Sequence, residues 1–342
     1  MTVGSTQRSD LLPKRHCSDL NEPADVWIKE RKTLNTLYIS HPAALLHEMG
    51  DGHPEQPERL RAIDKVLENE TFQSLIRDLA PLASRDMILR AHPEPYIEAL
   101  EAAAPASGYA SLDGDTTMCP FTLEAAFRGV GGACLAVDEV MTRRVQNAFV
   151  AMRPPGHHAE RETAMGFCFF NNAATAARHA RAIHGAERVA IMDFDVHHGN
   201  GTQDIFWSDP HVMYASTHQM PLYPGTGAVD ERGEFDTIVN APLRAGDGGA
   251  QFRAAMTEVI LPRIDAFAPD LVIVSAGFDA HKRDPLANIN LVEADFAWAT
   301  CQLLDIADRR AGGRLVSLLE GGYDMQGLSL SVAAHMRKLM GI

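Results

Sequence analysis

The stretch Arg188-Val-Ala-Ile-Met-Asp193-Phe-Asp195-Val-His197-His198-Gly-Asn200 decides the fold. Its first half is a short apolar run with the length and composition of a buried strand. Its second half breaks into carboxylates, imidazoles and glycine. In open α/β sheets ligands gather just beyond the carboxyl ends of the strands, where such residues fall. The same grammar recurs outward in both directions. Ala148–Met152 runs into Arg153-Pro-Pro-Gly-His157-His158, Leu271–Ser275 into Ala276-Gly-Phe-Asp279, and Arg314–Leu319 into Glu320-Gly-Gly-Tyr323. Leu37–Ser40 and Val212–Ser216 are further strand candidates. Helical patterns lie between them at Glu58–Glu68, Pro95–Ala103, Thr122–Thr142, Ala173–Ile183, Gly249–Phe267, Glu293–Ala307 and Gln326–Met340. Strands alternating with helices imply parallel β-α-β units and a sheet covered on both faces. With no internal repeat or linker, residues 34–342 read as one α/β domain, preceded by a polar tail or arm over residues 1–33.

Composition narrows the function classes. The 342 residues carry 31 Lys+Arg against 45 Asp+Glu, a net charge of −14. That balance speaks against a nucleic-acid-binding face, which needs basic surface. No apolar run reaches the length of a membrane span. Arg8, Asp10, Lys14 and Arg15 interrupt any signal-peptide core, so no secretory signal is expected. Cys17, Cys119, Cys134, Cys168 and Cys301 are odd in number and scattered. Neither a disulfide framework nor a cysteine zinc site is expected, and a reducing cytoplasm is the natural compartment. The 15 histidines are the outlying count, several of them adjacent to one another or to glycine.

Asp195, His197 and Asp279 form the natural metal set. Asp195 and His197 are two apart, which on an extended segment places both on one side. Two carboxylates and one imidazole without cysteine make an open site, the catalytic rather than the structural zinc pattern. Fe(II) or Co(II) would accept the same donors. The doublet His157-His158 follows a Pro-Pro-Gly turn, and two adjacent imidazoles resist double protonation, so at least one is a base near neutrality. Asp193 and Asn200 are candidates to orient them: an aspartate raises basicity, an asparagine orients without that push. Tyr323 can present its phenol to a developing oxyanion. Gly166-Phe167 and Tyr223 are loop positions that could wall a channel. Taken singly, each pattern has an ordinary structural explanation: a helix cap, a surface turn, a packed aromatic. Their convergence on four strand ends sets them apart.

The ordered set His53–Leu60 (HPEQPERL), Arg153–Ala159 (RPPGHHA), Gly166–Ala174 (GFCFFNNAA), Asp193–Phe206 (DFDVHHGNGTQDIF), Tyr223–Gly227 (YPGTG), Ser275–Leu286 (SAGFDAHKRDPL) and Leu319–Tyr323 (LEGGY) closely resembles the histone deacetylase family. That family includes bacterial acetylpolyamine amidohydrolases and acetoin-utilisation proteins, and the Pro-Pro-Gly and Asn200 look like its class II branch. The resemblance implies a single-domain arginase/deacetylase fold around an eight-stranded parallel sheet flanked by helices. It implies one Zn2+ per chain on Asp195, His197 and Asp279. His158 would be the general base and then acid, His157 its electrostatic partner buttressed by Asp193, and Asn200 the residue that orients His158. Tyr323 would polarise the carbonyl, and Phe167 and Tyr223 would line the acyl-lysine channel with Gly166. Tyr223 departs from the usual Phe. A K+ is implied near Asp193, Asp195, His197, Ser216 and Thr217, and Arg59 beside an internal cavity. Met118 falls in the place of the family's acidic rim residue, with Asp115 nearby. His281 stands where the two-manganese arginase relatives would carry a second bridging aspartate, so one metal is expected. Leu286 occupies the position, after Asp284-Pro285, where acetylpolyamine-selective relatives carry an acidic gatekeeper. The reading that follows is a zinc-dependent amidohydrolase acting on an acetylated amine such as acetyl-lysine, with no nucleic-acid or membrane partner. Self-association into a homo-oligomer is left open. The alternatives are another small amide or an acetylpolyamine as substrate, and a catalytically silent scaffold.

Overall fold

The computed structural model describes residues 35–342; the expected polar tail over 1–33 lies outside the described residues. Among the described residues ten strands occur in chain order: β1 (Thr36–Ser40), β2 (Ile76–Leu79), β3 (Ala110–Ser111), β4 (Thr117–Met118), β5 (Asn147–Val150), β6 (Val189–Asp193), β7 (Val212–Ser216), β8 (Ile238–Asn240), β9 (Leu271–Ala276) and β10 (Leu315–Leu319). Eight form one sheet in the order β2-β1-β5-β10-β9-β6-β7-β8, and every pairing in it is parallel. β3 and β4 make a separate antiparallel hairpin. The helices are α1 (Glu58–Val66), α2 (Arg85–Ile88), α3 (Glu94–Ala103), α4 (Thr122–Met141), α5 (Asn172–His184), α6 (Asn200–Phe206), α7 (Gly249–Ala255), α8 (Leu261–Phe267), α9 (Glu293–Arg310) and α10 (Met325–Leu339). The α/β class and eight-stranded parallel sheet are as expected.

The sheet order is what builds the site. β5, β10, β9 and β6 are consecutive neighbours, so the four strand ends that carry the unusual residues form one continuous rim. β5, β6, β7, β9 and β10 are buried throughout, as parallel strands covered on both faces must be. Helix α4 comes close to the sheet because Gly131 and Gly132 have no side chain: a Cβ on Gly131 would run into the Pro81 carbonyl, and one on Gly132 would press on Val150 and Ile39. The loops above the rim rest on a second core that includes Tyr96, Ile97, Met118, Phe169 and Phe170.

The structure departs from expectation in a few places, each with a local cause. β2 and β8 were not anticipated. β2 is an exposed edge strand with Arg and Asp in its four residues, and β8 has only three residues. The expected helix over 249–267 is continuous but passes through a π turn at Met256–Ile260. Asp195 and His197 lie on a bend after β6 rather than on an extended segment. Their side chains still meet, because the His197 N–H donates to Asp195 Oδ1 at 2.9 Å. Met118 is not at a rim: it is fully buried in the second core.

Candidate active site

β6 delivers Asp193, Asp195 and His197; β9 delivers Asp279. The ligating atoms of Asp195, His197 and Asp279 all lie within 4.8 Å of one another, and all three residues are buried. His197 Nδ1 is 3.2 Å from Asp195 Oδ1 and 3.1 Å from Asp279 Oδ2. The remaining carboxylate oxygens are tied down by backbone: the Gly321 N–H donates to Asp195 Oδ2 at 2.8 Å, and the Val196 N–H to Asp279 Oδ1 at 2.8 Å. Gly277 and Gly321 allow this approach, since a Cβ on either would collide with these carboxylates.

The donor set fits a divalent cation. Two buried carboxylates repel: burial and then the Asp195 charge push the Asp279 carboxyl up to about 7. Burial alone would lower His197, but its bonds to Asp195 and Asp279 carry it up to about 10. A bound cation relieves the same excess of negative charge, and two oxygens plus one imidazole suit a borderline metal with open positions.

The two imidazoles of the doublet stand side by side, ring centres 4.0 Å apart, with different partners. His157 Nδ1 is 2.9 Å from Asp193 Oδ2, and His158 Nδ1 is 2.8 Å from Asn200 Oδ1. Burial works against the charged form of both. For His157 it is outweighed by Asp195 and Asp193, which take the ring up to about 10. For His158 burial is reinforced by the charges of His157 and His197, which hold it well below the ordinary histidine range. The two neighbours are thus pushed in opposite directions, His157 toward its charged form and His158 toward its neutral form. Asn200 is itself held, donating to Glu160 Oε1 at 2.8 Å.

Residues 53–339 match the family model for the histone deacetylase domain. This chain belongs to the histone deacetylase family. It is 41% identical over 300 residues to the uncharacterized protein slr0245 of Synechocystis sp., covering 86% of this chain and 96% of that one. It is 40% identical over 311 residues to the histone deacetylase-like amidohydrolase of Pseudomonas aeruginosa, covering 89% and 80%. The crystal structure of the HDA15 HD domain superposes with a TM-score of 0.86 at 37% identity, covering 90% of each chain.

In this histone deacetylase family member the other expected residues fall around the same rim. Tyr323 is held between the Arg59 guanidinium, 4.8 Å over its ring, and the edge of Phe167, ring centres 5.9 Å apart. Tyr223, 39% exposed, stands edge-on to His158 at 5.2 Å and to His197 at 6.4 Å. Gly166 and Phe167 both take positive φ, and the Gly166 backbone lies so close to the His158 ring that a Cβ would sit 2.5 Å from its Cδ2. Asp115 is half-buried beside them; Thr116 joins it to Phe167, its Oγ1 accepting the Phe167 N–H at 3.1 Å and donating to Asp115 Oδ1 at 2.9 Å. Leu286 is half-buried, its N–H held by Asp284 Oδ1 at 3.0 Å. Asp193 and Ser216 are register partners across β6 and β7. The Thr217 N–H donates to the Asp193 carbonyl at 3.1 Å, and Thr217 Oγ1 is buried without a hydrogen-bond partner.

Sequence reasoning missed the buried acids beneath the site. Glu55 is completely buried, paired with Arg153 and with Arg59 at 3.1 Å. Glu320 Oε2 accepts the N–H groups of Gly156 and His157 at 2.7 and 3.1 Å, fixing the turn that carries the doublet. Asp284 Oδ2 accepts the Tyr323 N–H at 2.7 Å. A carboxylate that closes an apolar strand (Glu320) or precedes a proline in a loop (Asp284) was the available signal.

Proposed function

We propose that this chain is a metal-dependent amidohydrolase that removes acetyl groups from acetylated amines of the acetyl-lysine type. The observation that carries the reading is the pairing of His158 with the neutral amide of Asn200 beside His157 paired with the carboxylate of Asp193, both next to a buried Asp-His-Asp donor set. Asp195, His197 and Asp279 would hold the metal, zinc by family. When bound, such an ion supplies Lewis acidity toward an amide carbonyl and toward water. His158 accepts the proton of the attacking water at Nε2 and returns it to the leaving amine nitrogen. His157 stays charged and stabilises negative charge as it develops, while the Tyr323 hydroxyl donates to the oxyanion. Phe167 and Tyr223 form aromatic walls for a narrow acyl-amine stem, Tyr223 adding a polar hydroxyl, and Gly166 leaves room for the stem to reach His158. The products are a carboxylate and a free amine.

A K+ among Asp193, Ser216 and Thr217 accords with the partnerless Thr217 Oγ1 beneath the metal ligands. A reducing, cytoplasmic setting accords with four unpaired cysteines among the described residues. No described helix is long and apolar enough to cross a membrane.

The test is turnover of a panel of acetyl-lysine peptides, acetylpolyamines and simple amides, with and without chelator, by the native chain and by Asp279→Ala. Chelator-sensitive acetate release that Asp279→Ala abolishes is expected. Full metal content with unchanged turnover in Asp279→Ala would overturn the assignment.

A further inference from the structure

A second group of metal-ligating side chains lies away from the rim. His179 and His184 sit on α5, and Asp138 faces them from α4. Both imidazole Nε2 atoms converge on one carboxylate oxygen, Asp138 Oδ1, at 2.7 Å from His179 and 2.6 Å from His184. The three ligand atoms lie within 4.8 Å of one another. α5 starts at Asn172 among the active-site loops and ends at His184, a rise of about 1.5 Å per residue along its 13 residues. The group is therefore at the opposite end of the sheet from the Asp195 set.

We propose that Asp138, His179 and His184 form a second divalent transition-metal site, of the Zn2+, Co2+ or Ni2+ class, that cross-links α4 to α5.

Three features support it. Two nitrogens and one carboxylate oxygen are the donors such metals select. The side chains grade outward, His179 4%, His184 15% and Asp138 32% exposed, so the metal has an entry path and room for water. Asp138 lies in the last turn of α4 and His184 is the last residue of α5, so the group sits at two helix C-termini, where the helix dipole favours a cation.

Two unpaired polar atoms beside the group add a fourth. His179 Nδ1 is buried without a partner, and so is Oγ1 of Thr175, one turn earlier on the same face of α5. A proton on His179 Nδ1, with a small side-chain rotation, would give each the bond it lacks. That tautomer leaves Nε2 bare and facing a carboxylate, an arrangement that a metal cation between them satisfies as a proton would. A tetrahedral metal about 2.0–2.2 Å from each donor separates its ligands by about 3.3 Å, so the two imidazole-to-carboxylate distances of 2.7 and 2.6 Å need open by less than 1 Å. Arg90 acts on His179 from the loop after α2, and the buried Cys134 lies one turn before Asp138 on α4. The Arg90 charge weakens binding below what the three ligands alone would give, as suits a site that exchanges its metal.

The test is metal stoichiometry on the full chain, with Co2+ as the spectroscopic probe and elemental analysis for Zn2+. His184→Ala and, separately, Asp138→Asn should each lose one equivalent relative to the native chain. The same loss should follow when either change is added to Asp279→Asn, which removes a rim ligand. Turnover of the single variants should be unchanged, and the rise in melting temperature on adding Zn2+ to the Asp279→Asn chain should vanish with His184→Ala. An unchanged metal count in folded His184→Ala and Asp138→Asn chains would overturn the proposal.

Discussion

His158 Nδ1 rests 2.8 Å from the amide oxygen of Asn200, whereas its neighbour His157 rests 2.9 Å from the carboxylate of Asp193. A neutral acceptor fixes the His158 tautomer, with Nδ1 protonated and Nε2 free, without adding negative charge. Combined with burial and the adjacent cations, it keeps the ring unprotonated and ready to accept.

Asn200→Asp should therefore change the pH dependence before it changes the fold. A carboxylate within hydrogen-bond reach favours the imidazolium and raises a pKa by about 1–3 units. If His158 is the base, as proposed, the acidic limb of the kcat/KM profile should move to higher pH, with metal content preserved. Glu160→Gln in the same chain removes the like charge that Asn200 Nδ2 now contacts and should enlarge the shift. An unmoved acidic limb would show that His158 is not the titrating base.

Gly166→Ala should abolish turnover while keeping the metal. The added Cβ would fall 2.5 Å from His158 Cδ2, at a φ of +56° that L-residues rarely adopt. The imidazole must swing away from Asn200 or the loop must rebuild. The Asp195 set is held by other backbone groups, so elemental analysis should still find the rim metal. Native kcat in this variant would refute the steric reading.

Tyr323→Phe should lose ~10²–10³ in kcat, the usual cost of one oxyanion donor. The ring is held by Arg59 and Phe167, and its backbone N–H by Asp284, so removing the hydroxyl alone leaves the packing in place. A near-normal kcat would reduce Tyr323 to a packing residue.

The legible part of this molecule was its interior and its rim. β5, β6, β9 and β10 are apolar because both faces are covered, and each announces its end by a change from apolar to polar residues. Contiguity in the sheet was not legible, since strand order depends on contacts between distant residues; it is contiguity that turns four unremarkable loops into one site. Edge strands such as β2 bury nothing, so Ile76–Leu79 has no pattern to read. By resemblance Met118 falls where the family carries an acidic rim residue, but in a two-residue strand its side chain turns into the second core. The Asp138 group was invisible because its members are spread over two helices with no motif between them.

Stability should fall below pH ~6.5 through two buried histidines outside the site. His92 accepts the Asn171 N–H at Nε2 and faces the Arg161 carbonyl with Nδ1; His335 bridges Thr300 and Ser317. Burial lowers His92 to about 4 and His335 to about 3. Below pH ~6.5 the unfolded chain binds these protons and the folded chain does not, so each removes up to ~1.4 kcal/mol per pH unit until its folded pKa is reached. His157, raised to about 10, is protonated in both states there and adds no slope. Denaturant unfolding of native chain and His335→Gln between pH 4 and 6.5 should give a shallower slope for the variant. Equal slopes would show that His335 takes up its proton without unfolding.

Leu286 sets the last expectation, on substrate choice. Asp284 holds the Leu286 N–H with one carboxylate oxygen and the Tyr323 N–H with the other. One carboxylate thus ties the backbone of Leu286 to that of Tyr323, the proposed oxyanion donor. A carboxylate at 286 would offer a distal ammonium a charge-assisted contact worth about 1.5–3 kcal/mol, roughly ten- to hundredfold in affinity. Leucine offers apolar surface instead, which favours the stem or cap of a neutral acyl-lysine substrate. The net charge of −14 draws polyamines toward the protein, but as a screened field it acts on encounter more than on discrimination. The native chain should therefore turn over acetyl-lysine peptides at least as well as acetylputrescine or acetylspermidine. Leu286→Glu should raise kcat/KM for the acetylpolyamines, through KM, and leave acetyl-lysine turnover within a few-fold. A strong native preference for acetylpolyamines would place the selectivity in other loops, with Asp115, half-buried near Tyr223 and Gly166, the first residue to test.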